Sequence, residues 1–483
     1  MPTGTPTPLQ RGASQPLAGQ LAERYAQRIR ERLLLPGARL PSVRDCARQH
    51  GVSPHTVVAA YDQLQAAGLL EARRQRGFFV RESRPAPTRT AARTPAVAAP
   101  RQVPMDATAL IRGMFEADAA RSPGLGTLPA DWLDPTLLQS ALRRLNAADS
   151  LAVQVGYGEP SGDARLRAAL ARRLDDLGIH ANPAHILTTN GATHALDLII
   201  RTQLQPGDAV LVDDPGWAIM FARLTQAGIR LLPVPRAGQG AQGPDLDVLA
   251  ALAAQHAPRA YLTVSVLHNP TGHSLNLATA HKLLRLADEH DFFIVEDDSY
   301  GFLAPEHVPR LAALDGLRRV TYVAGFSKVL TPAWRVGYLA AAPERLRALT
   351  DTKLLDGLTS SPVLERAVAL CLEQGRLRRH AQRLRERLAT ARQRVAALAT
   401  RQGFAWAAPP DGLFGWLDVG VDTERLAQPL LDAGWLIAPG ALFSATRRPG
   451  SLMRINMATS QDPAFWRTLR AAVDGLHNPS PHP

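Results

Sequence analysis

Residues 326–338 have the sequence FSKVLTPAWRVGY. The mostly apolar run 319–324 before them predicts a buried strand, so Lys328 follows a strand end and Arg335 lies seven residues further along. A lysine that forms a Schiff base must hold an amine of lowered pKa beside an electrophilic carbonyl. An arginine nearby suits a bound phosphate. Taken alone, a serine–lysine pair is more often a surface feature. The surrounding motifs are therefore needed to decide whether Lys328 is a Schiff-base lysine.

Three further motifs precede this stretch. In VEDDSYG (295–301), Asp297 ends an apolar run, and a carboxylate there can pair with the protonated ring nitrogen of a pyridoxal cofactor. In HNPTG (268–272), Asn269 can donate to a phenolate oxygen. In TTNGATHAL (188–196), the amides of a glycine turn at a helix start can cradle a phosphate. Singly these signals are weak, since an acidic strand end also suits a metal or solvent, and HNPTG fits many turns.

Together and in this order the motifs resemble the fold-type-I aminotransferases that use pyridoxal 5′-phosphate (PLP). The resemblance covers roughly residues 125–475. It implies that Lys328 is the Schiff-base lysine and proton shuttle, that Asp297 pairs with the pyridine nitrogen, and that Tyr300 and Asn269 contact the phenolic oxygen. These roles make Lys328, Asp297 and Tyr300 the candidate catalytic residues.

The same resemblance implies the remaining contacts of the site. Arg454, in SLMRINMA (451–458), would grip a substrate carboxylate, and Tyr157, in YGEPSGDARLR (157–167), would reach the phosphate of a neighbouring subunit in a homodimer. Gly325 departs from the family, because that position usually bears a hydroxyl. No metal site is expected. The phosphate would be held by Gly191, Ala192, Thr193, Ser327 and Arg335, and Trp217 would stack on the ring, with a core tryptophan as its alternative.

The charge of the chain is concentrated near its start. The formal net charge is +12, and residues 1–104 contain 16 Arg, no Lys and 6 acidic residues, whereas the remainder is nearly neutral. This asymmetry favours a polyanionic partner, with a solvated basic surface as the alternative. Helical patterns run from Leu17 to about Leu35, from Ser42 to Gly51 and from Ser53 to Gly68, and LLEARRQRGFFV (69–80) predicts a hairpin. Three helices and a hairpin predict a winged helix-turn-helix.

The stretch LPSVRDCARQHGVSPHTVVAAYDQLQAAGLLEARRQRGFFV (40–80) is similar throughout to GntR-type winged helix-turn-helix domains. His55 and Phe78 depart from the usual pattern, which bears on operator preference and not on fold. Double-stranded operator DNA is therefore the expected partner. The candidate DNA contacts are Arg39, Ser42, Arg44, Arg48, Ser53, His55, Thr56, Arg73, Arg74 and Arg76.

Composition divides the chain into modules. Residues 84–104 consist largely of Pro, Ala, Thr and Arg without apolar periodicity, which predicts a linker. We expect a DNA-binding domain at 15–83 and an aminotransferase-like domain at 105–483, with a large α/β domain at about 150–360 and a smaller α+β domain at about 361–475. Strands are predicted at 186–189, 209–213, 230–234, 260–264, 292–296, 319–324 and 336–341, and shorter ones at 404–407, 415–419, 435–438 and 452–457.

This order of modules resembles the MocR subfamily of bacterial regulators. It implies a PLP-dependent transcription regulator that senses an amine, an amino acid or PLP itself. A working aminotransferase with an accessory DNA-binding module and a regulator that has lost its cofactor remain alternatives. Two cysteines and no long apolar run predict a cytoplasmic protein without a membrane span.

Overall fold

The computed structural model describes residues 16–30, 34, 37–73, 77–81, 121–148, 155–236 and 243–477. The predicted linker 84–104, and two of the candidate DNA contacts, Arg74 and Arg76, lie outside the described residues.

The N-terminal module is a winged helix-turn-helix. Ser53 caps its third helix by accepting a hydrogen bond from the Thr56 amide, and Pro54 occupies the first helical position. Tyr25 and Tyr61 are fully buried at its centre, with their rings edge to face. The first helix is described as far as Arg30, and Leu34, the next described residue, is not helical. The elements are α1 (Leu17–Arg30), α2 (Val43–His50), α3 (Pro54–Ala66) and the antiparallel strands β1 (Leu70–Arg73) and β2 (Gly77–Val80).

A seven-stranded sheet forms the centre of the large domain, in the order β3-β9-β8-β7-β6-β4-β5. All seven predicted strands form, with ends within one residue of those expected. Strands β4 to β8 run parallel and β9 is antiparallel to both neighbours, which confirms a largely parallel sheet. The strands are β3 (Ile186–Thr189), β4 (Ala209–Asp214), β5 (Arg230–Pro235), β6 (Ala260–Thr263), β7 (Phe293–Asp297), β8 (Val320–Gly325) and β9 (Gly337–Ala340).

Helices flank this sheet. Helix α12, just after the predicted boundary at about 361, packs against α4 and α5 and also against the long helix that follows it in the chain. The helices are α4 (Pro135–Ala148), α5 (Ala164–Asp176), α6 (Ala192–Gln203), α7 (Ala218–Gln226), α8 (Leu246–His256), α9 (Leu277–Glu289), α10 (Leu311–Asp315), α11 (Pro343–Gly357) and α12 (Pro362–Glu373).

The small domain has an antiparallel sheet in the order β10-β11-β13-β12. The strand predicted at 435–438 is wrong for most of its length, because the backbone of Leu436 bonds to Arg121 and Gly124 instead of to a sheet neighbour. The elements are α13 (Arg376–Arg401), β10 (Ala405–Trp406), β11 (Phe414–Asp418), α14 (Glu424–Asp432), β12 (Ala438–Pro439), β13 (Leu452–Asn456) and α15 (Pro463–His477).

A segment near the N-terminal end of the aminotransferase-like module packs on the small domain. We call residues 122–127 the strap. The side-chain amide of Asn456 donates to the carbonyls of Leu125 and Thr127, and the Asn456 amide donates to Pro123. Gly126 of the strap also accepts from Lys328, which follows β8, so the strap lies near the carboxyl end of that strand, at the edge where open α/β sheets bind ligands.

Candidate functional site

Lys328 lies in the turn after β8. Its Nζ donates to the Gly126 carbonyl of the strap at 2.6 Å. Burial lowers the pKa of Lys328 to about 8, Arg454 and Arg335 act in the same direction, and Asp297 opposes them. The amine is therefore easier to deprotonate than an exposed lysine, which suits a nucleophile.

Asp297 is the last residue of β7 and is 6% exposed. Its Oδ1 accepts from the amide and the hydroxyl of Ser299, at 2.9 and 2.5 Å. Burial raises the pKa of Asp297 to about 6, the neighbouring Asp298 adds to the rise, and Ser299 and Lys328 oppose it. The carboxylate stays mainly ionised near neutral pH and can face a cation.

Asn269, Tyr300 and Arg454 form one buried network. The Asn269 Nδ2 donates to the Tyr300 hydroxyl at 3.4 Å, and Asn269 Oδ1 accepts from Arg454 Nη1 at 2.8 Å. The three residues are separated by up to 185 positions in the chain and come from a loop, a turn and strand β13. The predicted pair at the phenolic oxygen and the predicted carboxylate arginine are thus adjacent.

The Arg454 guanidinium lies between two aromatic rings. Its Cζ is 4.6 Å from the Phe414 ring centre and 4.8 Å from that of Phe443. Its Nη2 donates to the Gly124 carbonyl of the strap at 2.6 Å, whereas its buried Nε has no partner among the described residues. Burial lowers the pKa of Arg454 to about 10, so the group is a cation at neutral pH. A fixed, buried cation of this kind suits a carboxylate ligand.

The predicted phosphate residues meet at the start of helix α6. Gly191 has φ 81° and ψ 166° and provides no side-chain cap, so the first amides of α6 are left for another acceptor. A Cβ added at Gly191 would lie 2.5 Å from Arg335 Nη2. Arg335 donates to the Ser327 hydroxyl at 3.2 Å and to the Asn190 carbonyl at 3.3 Å. Ala192 and Thr193 form the first turn of α6.

We call the first amides of α6 and the Arg335 guanidinium the candidate phosphate cradle. Gly325 also faces this cradle. An ideal Cβ there would lie 3.4 Å from the Ala192 amide. The hydroxyl that the family usually carries at this position would therefore be near the first turn of α6. Ser327 bonds to Arg335 and supplies a hydroxyl from the other side.

Trp217 and Asp297 line the same small cavity. Trp217 is half-buried at the start of α7, so it is neither a fully buried core residue nor exposed. Asp213 and His268 line the cavity too, and Asp213 accepts from the Tyr261 hydroxyl at 2.6 Å. Burial lowers the pKa of His268 to about 4.

Tyr157 makes no contact with the other candidate site residues within this chain. Its side chain is 85% exposed, and no hydrogen bond to another described residue is present.

Sequence reasoning missed the two strap carbonyls, those of Gly124 and Gly126, and the two rings around Arg454. The SPGLGT stretch of the strap, a proline followed by two closely spaced glycines, was an available signal of close backbone approach.

The candidate DNA contacts lie on the surface of the N-terminal module. Ser53, His55 and Thr56 sit at the start of α3, and Arg39 and Arg44 are exposed. Ser42 and Ser53 also serve as helix caps, which engages one lone pair of each hydroxyl. Two of the arginines have acidic neighbours: Arg48 pairs with Asp45, and Arg73 pairs with Glu71 at 2.6 Å.

Comparison with known proteins identifies the families of the two modules. Residues 127–469 match the family model for aminotransferase class I and II, and residues 17–80 match the model for bacterial regulatory proteins of the gntR family. Within the described residues, no helix is long and apolar enough to cross a membrane.

Relatives with both modules are similar over most of the chain. The HTH-type transcriptional regulator TauR of Rhodobacter capsulatus is 31% identical over 88% of this chain and 90% of its own length. The probable rhizopine catabolism regulatory protein MocR of Rhizobium meliloti is 29% identical over 89% of this chain and 86% of its own.

Among solved structures, the chain is similar to the α-aminoadipate aminotransferase LysN of Thermus thermophilus, complexed with N-(5′-phosphopyridoxyl)-L-leucine. The TM-score is 0.69 at 26% sequence identity, and the match covers 76% of this chain and 95% of the LysN chain. PLP is the cofactor of this fold family. The chain belongs to the MocR-type transcription regulators, in which a GntR-type winged helix-turn-helix precedes a class I and II aminotransferase domain.

Proposed function

We propose that this chain is a PLP-dependent transcription regulator whose aminotransferase-like module senses an amino acid and whose N-terminal module binds operator DNA. The observation that carries the proposal is the convergence of Lys328, Asp297 and Arg454 at one sheet edge, next to the phosphate cradle at Gly191 and Arg335. We assign residues 15–83 to DNA binding, 84–104 to the linker and 105–483 to sensing.

The residues at the site fit PLP. The absence of a Cβ at Gly191 lets the Arg335 guanidinium lie against the start of α6, and the first amides of α6 and that guanidinium provide donors for a phosphate. Asp297 would hold the ring nitrogen, Trp217 would cover one ring face, and Asn269 and Tyr300 would contact the phenolic oxygen. When bound, PLP supplies an aldehyde that condenses with amines and a ring that withdraws electrons. Lys328 provides the amine for the covalent link and can carry a proton at Nζ.

Arg454 favours an effector with a carboxylate. Arg454 is 4% exposed, its guanidinium lies between two rings, and its buried Nε has no partner among the described residues. A carboxylate can satisfy that donor and the charge together, whereas a simple amine leaves both unmet. We therefore place amino acids ahead of amines among the effectors.

We propose that the N-terminal module inserts the start of α3 into the major groove of DNA. Ser53, His55 and Thr56 would reach base edges or phosphates, and Arg39, Arg44 and Arg48 would contact the backbone. The wing arginines Arg73, Arg74 and Arg76 would contact the adjacent phosphates. Both cysteines, Cys46 and Cys371, are free and buried, which is consistent with a cytoplasmic location.

We propose a homodimer in which Tyr157 reaches the phosphate in the partner's site. Tyr157 and Leu355 are exceptional among the large apolar side chains, with 85% and 91% exposed, and a second copy would cover such residues. Mixing Lys328→Ala chains with Tyr157→Ala chains tests this. The mixed dimer has one complete site and should bind PLP more tightly than Tyr157→Ala dimers do. Equal affinity would refute the shared site.

Binding experiments test the function as a whole. The full chain should bind a fragment from upstream of its own gene with an affinity that falls steeply with salt, and should show a PLP absorption band that is lost in Lys328→Ala. Lys282→Ala, which removes an exposed lysine, is the matched control and should keep the band. Sustained multiple turnover of an amino donor with a 2-oxo acid would instead favour an aminotransferase.

A further inference from the structure

A buried lysine holds the turn that carries Tyr157. We call residues 157–163 the tyrosine turn. Lys353, on α11, is 1% exposed, and its Nζ donates to the Pro160 carbonyl of this turn at 2.8 Å. Burial of an ammonium group costs free energy, so a lysine in this position is expected to serve a specific contact.

The carboxylate of Glu365 supports the same turn from helix α12. Glu365 is 2% exposed, and its Oε2 accepts from the Asp163 amide at 2.7 Å. Burial lowers the pKa of Lys353 to about 8, and Glu365 opposes this change, so the two charges lie close enough to attract each other. Arg366 donates to the Asp163 carboxylate at 2.8 Å. Charged side chains of two helices thus attach the tyrosine turn at Pro160 and at Asp163.

Thr188 joins these groups to strand β3. Its hydroxyl accepts from Lys353 Nζ at 3.5 Å and donates to Glu365. The Thr188 amide donates to the Ser161 carbonyl at 3.1 Å, and a Cβ at Gly162 would overlap Thr188 Oγ1. The backbone of the tyrosine turn therefore packs directly on β3, which only a glycine at position 162 permits.

The other end of the tyrosine turn faces away from its own chain. Tyr157 lies three residues before Pro160 and is 85% exposed. An exposed aromatic side chain beside a firmly attached backbone is suited to a group outside the chain. Because the turn is fixed before that group is met, less conformational entropy is lost when Tyr157 makes its contact.

We propose that Lys353 and Glu365 are positioning residues for the PLP site of the partner subunit, because they hold the tyrosine turn in the conformation that presents Tyr157. This inference rests on the proposed function, since it needs a site shared between two chains. Thr188 also leads to the cradle of its own chain, because Gly191 lies three residues further along. The test therefore has to separate an effect on the partner's site from an effect on the chain's own site.

Hydrogen exchange tests the anchoring without PLP. In the apoprotein, Lys353→Met should speed the exchange of the Gly162 and Asp163 amides by about tenfold or more, because the turn opens when the Pro160 carbonyl loses its donor. Lys282→Met, the same substitution at an exposed lysine, is the matched control and should exchange as the wild type does. Unchanged exchange in Lys353→Met would overturn the anchoring.

Mixed dimers, purified through two different tags, test which site Lys353 serves. Lys328→Ala removes the amine from one chain, so the PLP absorption band then reports the Kd of the other chain's site alone. A dimer of wild-type and Lys328→Ala chains sets the reference. Lys353→Met homodimers should bind PLP about tenfold more weakly than the wild type.

The two arrangements of the mixed dimer have opposite expected results. When a Lys353→Met chain is paired with a Lys328→Ala chain, the reporting site receives Tyr157 from a chain that keeps Lys353. Its Kd should therefore return to the reference value. When both substitutions are on one chain and the other chain is wild type, the Kd should stay raised about tenfold.

Removal of both charges separates positioning from stability. Lys353→Met alone leaves Glu365 buried without the lysine charge, which lowers stability. Lys353→Met with Glu365→Gln should recover most of the urea midpoint, whereas the Pro160 carbonyl still lacks its donor and the Kd should stay raised. A Kd that recovers together with the midpoint would mean that Lys353 acts only on stability, and the positioning role would be wrong.

The outcomes also separate this inference from the proposed function. A Kd raised only when Lys353→Met is in the reporting chain would assign the effect to the chain's own cradle and overturn the inference. If Tyr157→Ala homodimers weaken PLP binding and Lys353→Met homodimers do not, the shared site stands and the positioning role alone is refuted. If Tyr157→Ala homodimers bind PLP as the wild type does, the shared site itself fails, and the positioning role fails with it.

Discussion

The sharpest test of the phosphate cradle is the substitution Gly191→Ala. The backbone at Gly191, with φ 81° and ψ 166°, is in a region that only glycine adopts readily, so an alanine there costs about 1–3 kcal/mol of folding free energy. The new Cβ would also stand 2.5 Å from Arg335 Nη2, and the guanidinium would have to leave its place. A displaced Arg335 loses charged hydrogen bonds worth about 1.5–3 kcal/mol each.

These two effects have different readouts. The strain lowers the free energy of unfolding of the apoprotein, which urea titration measures. The displacement of Arg335 raises the Kd for PLP by roughly 10- to 100-fold, since each 1.4 kcal/mol is about a factor of ten. Titration of the apoprotein with PLP, followed by absorbance, measures that Kd.

Gly207→Ala is the matched control. Gly207 has φ 96°, and nothing lies within 4 Å of the Cβ position. The control variant should therefore lose stability through strain yet bind PLP as the wild type does. If Gly191→Ala binds PLP within about twofold of the wild type, or if Gly207→Ala weakens binding as much, the assignment of the cradle is wrong.

Three further predictions concern charged groups. Lys328→Met should raise the stability of the apoprotein by about 3 kcal/mol at pH 7, because burial lowers the pKa of Lys328 from 10.5 to about 8. Between those pH values the unfolded chain keeps a proton that the folded chain has released, so the urea midpoints of the variant and the wild type should converge as the pH approaches 10.5. Arg454→Gln should weaken an amino acid effector about tenfold or more and leave its decarboxylated amine unchanged, as spectral titration of both would reveal. Arg44→Ala should weaken DNA binding evenly across sequences and reduce the salt slope by about one, measured by anisotropy at several salt concentrations.

The elements of the fold that a local pattern encodes were predictable. Six of the seven strands of the large domain are buried on both faces, and only the edge strand β5 alternates between buried and partly exposed residues. Their mostly apolar runs placed the strand ends within one residue. The strand predicted at 435–438 failed because its apolar pattern is equally suited to covering the strap, and only the tertiary contact of Leu436 with Gly124 decides between the two.

The residues of the candidate site likewise include some that a local sequence motif indicates and some that it does not. Asp297 ends a strand, and Lys328 and Asn269 follow strands, each in a motif of distinctive sequence, so they could be found one at a time. The strap carbonyls carry no side-chain signature, since the Gly124 and Gly126 oxygens act through the backbone. The contact of Lys353 with Pro160 joins residues 193 positions apart, and no local pattern indicates such a pair.

The state of Lys328 shows why the site works as a unit that no single motif specifies. Burial alone disfavours its charge, and Arg454 and Arg335 disfavour it further, while Asp297 restores part of it. The balance leaves the pKa at about 8, close enough to neutral pH that a useful fraction of the amine is free to attack a carbonyl. A carboxylate arriving at Arg454 would cancel one of the two repulsive cations and raise the lysine pKa. The residue that we propose to bind the effector carboxylate would therefore also adjust the proposed Schiff-base lysine, although 126 positions separate them in the chain.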